Sequence, residues 1–267
     1  MPEPSYFVEA LASTIEATGQ VCAGLTDEQW GWPTGCPGWT VKDSVVHLYG
    51  LERVLAGEPE PEHELVGDFP HVRSETGRYM ERQVDARRAL SGAQVLGEFN
   101  ETWAARLAYL RSLDAEGFAS EAPGPMGSKG PLGKSLPIRV FDCWAHEQDI
   151  RRAVGRRGGL DTSAAAVSLT TCKRVAPSAI AAVVPDGSTV VFELDGPNGG
   201  QLAASYSGGV ATVLDGPPDA STVVLAMSDE MFAFLCCGRC DTPPGEVKMT
   251  GDTALGETVI GALGFTP

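Results

Sequence analysis

Three ionisable residues, Asp142, His146 and Asp149, stand in the middle of what is otherwise an apolar helical stripe. At about 100° per residue they fall, with Ala153, within roughly 60° of arc, flanked by Ile138, Cys143, Ala145, Ile150 and Val154. Glu147, Gln148, Arg151 and Arg152 fall on the opposite side. A helix built for stability alone does the reverse, because an ionisable group facing a core must be paired, hydrogen-bonded or bound to metal. Whatever this chain folds into must supply that stripe with a partner.

The segment Val41–Leu55 repeats the anomaly. Thr40 with Asp43 three positions on makes a capping-box pattern, so the helical phase is known. His47 then lies mid-stripe among Ser44, Leu48, Leu51, Val54 and Leu55, with Lys42, Tyr49, Glu52 and Arg53 opposite. One histidine on an apolar face reads as a hydrogen-bonded core residue. Two helices of one bundle that both do this, one adding a carboxylate at i, i+4, offer a His, Asp, His set to a single ion. His47, Asp142 and His146 are therefore the candidate metal ligands, with a satisfied buried His/Asp pair as the alternative. Three such ligands leave a coordination position open, as in catalytic rather than structural zinc sites. Asp149, one turn beyond His146, reads as the acceptor that fixes the imidazole tautomer rather than as a fourth ligand.

The rest of the first half has the three-to-four apolar spacing of helices over Tyr6 to Val21, Ser74 to Leu90 and Ser91 to Leu113, which predicts a bundle of four antiparallel helices. PGPMGSKGPLGK, residues 123–134, is dense in Gly and Pro and reads as a loop, after which Ser135 caps the helix carrying Asp142 and His146. His63 and His71 fall in a polar stretch and read as solvated. GRRGG at 155–159 marks the expected boundary, giving domains 1–158 and 159–267. Beyond a helix over Thr162 to Val183, four short β-rich runs (189–194, 201–206, 210–214, 222–226) are separated by DGPNGG, SGG and DGPPDA. Two helical segments follow, so the second domain is expected to be a small α+β unit with a mostly antiparallel sheet.

Composition narrows the function. Twenty Lys plus Arg against 35 Asp plus Glu leave a formal charge of −15, which argues against nucleic acid or an anionic membrane as partner. The first residues lack the basic start and apolar core of a leader, and no apolar run is long enough to span a bilayer, so the expected location is the cytoplasm. Seven cysteines, an odd number, fit free thiols in a reducing compartment. Cys236, Cys237 and Cys240 form a CCxxC run without a second pair, and read as ordinary thiols. No serine-hydrolase elbow, P-loop or dinucleotide fingerprint is present.

CPGWTVKDSVVHL at 36–48 and VFDCWAHEQDIRR at 140–152 together resemble the mycothiol-dependent maleylpyruvate isomerase family of actinobacteria. The resemblance implies an α+β protein, with an N-terminal DinB-like four-helix bundle followed by a sterol-carrier-like domain. It also implies a divalent metal, zinc, on His47, Asp142 and His146. The isomerase has glutamate where this chain has Asp142; the shorter side chain is tolerable for zinc but does not guarantee identical chemistry. Gly238-Arg239 and Gly251-Asp252 match steps of the family's second domain, which makes Arg239 the candidate for binding a substrate carboxylate, with pairing inside its own domain as the alternative.

The expected function is that of a metalloenzyme using a low-molecular-weight thiol, mycothiol or a similar one, to isomerise or S-conjugate a small electrophile. Asp149 would orient His146, and the protein would act as monomer or homodimer. A metal-dependent hydrolase and a non-catalytic small-molecule or metal-binding protein are the competing readings.

Overall fold

A computed structural model describes residues 2–216, 218, 220–239 and 245–266. The chain divides into two units, one running to Val167 and the other spanning Ser168–Thr266. The first is helical. Its long members are α1 (Pro4–Cys22), α3 (Val41–Leu55), α5 (Gly92–Ser112) and α7 (Leu132–Ala153), with the shorter α2 (Asp27–Trp30), α4 (Glu75–Asp85) and α6 (Ala115–Ala119) between them. α1 packs on α5 and α7, and α3 packs on α5 and α7, which closes a four-helix bundle; α4 packs against α3. The fourth bundle member is thus α7, not the 74–90 segment, which is helical for only 11 residues.

Local chemistry sets the helix starts. Reciprocal capping boxes open α2 at Thr26/Gln29, α3 at Thr40/Asp43 and α5 at Ser91/Gln94, each satisfying two otherwise orphaned donors. α7 begins differently from the sequence expectation. Residues Glu121–Pro123 (β1) and Lys129–Pro131 (β2) pair as an antiparallel hairpin, and Pro131, not Ser135, precedes the helix. The Ser135 hydroxyl instead donates to the Leu132 carbonyl oxygen.

α7 and α3 are also more enclosed than a one-sided stripe. Glu147 and Gln148 on α7, and Tyr49 and Glu52 on α3, are buried although the helical wheel puts them outside. Each of the two helices has packing partners on more than one side, so a single wheel face does not describe its burial.

The second unit takes its first helix, α8 (Ser163–Ala179), from the junction. Its sheet has the order β5-β4-β3-β6-β7, from β3 (Thr189–Asp195), β4 (Gly200–Ser207), β5 (Val210–Val213), β6 (Val223–Ser228) and β7 (Lys248–Gly251). All neighbours are antiparallel except β3 with β6. The α9 helix (Asp229–Cys236) packs on β3 and β6, with Phe232 against Phe192 at 5.2 Å between ring centroids; α10 (Thr253–Ala262) covers β6 and β7. At Gly251, φ is +84° and a Cβ would lie 2.4 Å from the Thr222 carbonyl oxygen, so β7 leaves the sheet edge through a turn only glycine fits. Cys236 and Cys237 are buried, and Cys240 lies outside the described residues. The whole is α+β with an N-terminal helical domain. No described helix is long and apolar enough to cross a membrane.

Candidate metal centre

The capped start of α3 fixes His47 in its second turn, and the contact of α3 with α7 brings that side chain to Asp142 and His146. His47 is 3 % and His146 6 % exposed, with their rings 4.9 Å apart. The His47 Nε2 lies 3.4 Å from each Asp142 oxygen, and the His146 Nε2 lies 3.7 Å from Asp142 Oδ1. These separations are long for hydrogen bonds. They are close to the ~3.3 Å that ligands at about 2.0–2.1 Å keep from one another around a tetrahedral zinc. One ligand atom from each of the three residues lies within 4.8 Å of the others. Donor type, burial and spacing fit a divalent cation. The Asp142 side chain, 27 % exposed, opens the cluster to solvent on one side.

Electrostatics put His47 and Asp142 in their ligating forms. Burial depresses the His47 pKa against the opposing pull of Asp142, so the imidazole is neutral at pH 7. Burial pushes the Asp142 carboxyl up, but the His47 imidazole and the Arg139 guanidinium outweigh it and hold it well below the usual carboxylate range. The His47 Nδ1 is buried without a hydrogen-bond partner. His146 Nδ1 lies 3.2 Å from the buried Asp149 Oδ2, off the straight line of a hydrogen bond.

Several neighbours escaped the sequence reading. Trp39, just before the Thr40 cap, lies against both imidazoles at 4.9 and 5.5 Å. Its indole Nε1 donates to the fully buried Glu81 at 2.8 Å. Glu81 also meets His71 at 2.9 Å and Arg88 at 2.6 Å. His71 is therefore tethered rather than solvated, and His63 likewise meets Asp85 at 2.7 Å. Arg139, one turn before Asp142, bonds its Oδ2, and Cys36 forms a second possible donor group with His146 and Asp149. The i−3 spacing of Arg139 from Asp142 was the available signal; nothing local in the sequence ties Glu81 to Trp39, 42 positions apart. Arg239 belongs to the second unit, where it is buried and donates to the Cys237 carbonyl oxygen.

A bundle that turns two imidazoles and a carboxylate onto one point, joined in sequence to an α+β unit, defines a protein class organised around a candidate metal centre. The chain belongs to the family of the mycothiol maleylpyruvate isomerase N-terminal domain, which matches residues 11–151. Crystal structures of the mycothiol-dependent maleylpyruvate isomerase and of a histidine-to-alanine mutant of it share the fold, with TM-scores of 0.59 and 0.56, at 15% and 16% identity over 93% of each chain. Two uncharacterized proteins from strains of Mycobacterium tuberculosis are each 23% identical over 255 residues, or 95% of this chain and 93% of theirs.

Proposed function

We propose that the protein is a metal-dependent enzyme that uses a low-molecular-weight thiol, mycothiol in keeping with its family, to isomerise or S-conjugate a small electrophile. The observation that carries this reading is the convergence of His47, Asp142 and His146, from two helices, on one partly open point. A divalent ion held there, zinc by donor type, supplies a positive centre that favours thiolate over thiol. The chain's own residues do the rest. Burial keeps His47 unprotonated, the Arg139 guanidinium keeps Asp142 ionised, and Asp149 holds the ring of His146 in register. Trp39 walls the imidazoles from water on one side. Arg239 is the residue assigned to a substrate carboxylate, by its bidentate fork.

Elemental analysis of the purified protein, with thiol-dependent turnover of maleylpyruvate and other electrophiles, tests the reading. Wild type is expected to hold one zinc per chain, and His47→Ala and His146→Ala to lose both metal and turnover. Unchanged metal and turnover in both variants would overturn the mechanism. Arg239→Ala is expected to raise KM for acidic substrates while leaving the metal in place.

A further inference from the structure

Asp142 does not face the imidazoles unaided. Both of its oxygens lie 3.4 Å from His47 Nε2, but Oδ2 is bound by the Arg139 guanidinium, whereas Oδ1 also lies 3.7 Å from His146 Nε2. Arg139 is itself gripped from two other helices. It meets Glu52 Oε2 through Nε at 3.2 Å and Nη2 at 3.1 Å, reaches the Leu48 carbonyl oxygen at 3.4 Å, and stacks 5.8 Å over the Trp103 ring. The other oxygen of Glu52 takes Arg106 at 2.6 Å. Arg106, Glu52, Arg139 and Asp142 thus form a row of alternating charges that sums to zero inside the bundle.

We infer that Arg139 is a positioning residue for the centre: it holds Asp142 as a one-oxygen donor and cancels that carboxylate's charge, so that a bound dication keeps its own charge for an anionic guest. The inference rests on the proposed metal site. Imidazole ligates a cation only through an unprotonated nitrogen and so brings no charge, and the carboxylate is already balanced, so nearly the full double charge of the ion stays uncompensated among these donors. Asp149 meets His146 at Nδ1 rather than at the Nε2 that lies near Asp142, and Glu147 is neutralised by Arg151 at 2.6 Å. An uncompensated charge in a low-dielectric interior is costly, and the remaining way to offset it is an anion from solution, a thiolate or a carboxylate.

Because Arg139 is a cation, it opposes the metal ion and favours the anion that follows. A residue that merely props up the scaffold would help both. Loading the protein with cobalt, whose visible bands report its ligands, and then titrating azide separates the two. Wild type is expected to bind one cobalt per chain; Arg139→Gln to bind cobalt at least as tightly but azide about tenfold more weakly; and Arg139→Lys to restore azide binding. If Arg139→Gln does not fold because Glu52 Oε2 loses its partner, the double variant with Glu52→Gln carries the same prediction. Azide affinity equal to wild type, or cobalt and azide lost together, would overturn the inference. A wild-type protein that takes up no stoichiometric cobalt would instead sink the metal reading, and the role of Arg139 with it.

Discussion

His47 carries two consequences of its burial. Its pKa in the folded chain is depressed below the ~6.5 of a free imidazole, so as the pH falls the unfolded chain takes up a proton that the native site refuses. Stability that is intact above about pH 6.5 is therefore lost progressively below it, down to the native pKa. Urea midpoints of metal-free protein at pH 7.5 and 5.5 are expected to show this drop, and His47→Asn to shrink it. The same residue illustrates how much of the site is legible from sequence. His47, Asp142 and His146 stood out because polar groups interrupt apolar periodicity, a signal contained within single helices. Glu81 carried no such signal on its own helix, since its partner Trp39 is 42 positions away; the spacing of Arg139 from Asp142 was legible, but its anchor on Glu52, 87 positions away, was not.

Among the elements, α3 shows why starts are easier to read than surroundings. The Thr40/Asp43 box fixes where the helix begins, and the expected span matches the observed Val41–Leu55. Replacing Thr40 with alanine removes the side-chain acceptor of the Asp43 N–H and is expected to cost about 1 kcal/mol, measured by chemical denaturation. It also loosens the first turn before His47, so weaker zinc retention is expected alongside. Burial was misjudged at Glu52 and Tyr49 because the wheel assumes one buried side, whereas α4, α5 and α7 all pack on this helix. The Gly/Pro-rich 123–134 stretch was misjudged differently. Turn residues there close the β1–β2 hairpin, too short for any alternation to announce it.

For the whole molecule, the α+β division was legible because turn clusters separate the runs of the second half, while helical spacing fills the first. The parallel pairing of β3 with β6 was not, since strand order depends on contacts between segments 33 residues apart, such as Val190 and Val223. All three donors lie in the first unit and the Phe192–Phe232 contact in the second. Phe232→Ala is thus expected to lose about 3–5 kcal/mol of stability in the second unit, with zinc content per folded chain unchanged. Calorimetry and metal analysis on one sample check both. The chain has five tryptophans, and Trp39 alone leans on both candidate imidazoles. Its emission is a built-in optical gauge: a paramagnetic ion settling beside those rings dims that one fluorophore, and Trp39→Phe silences the response while the other four keep glowing.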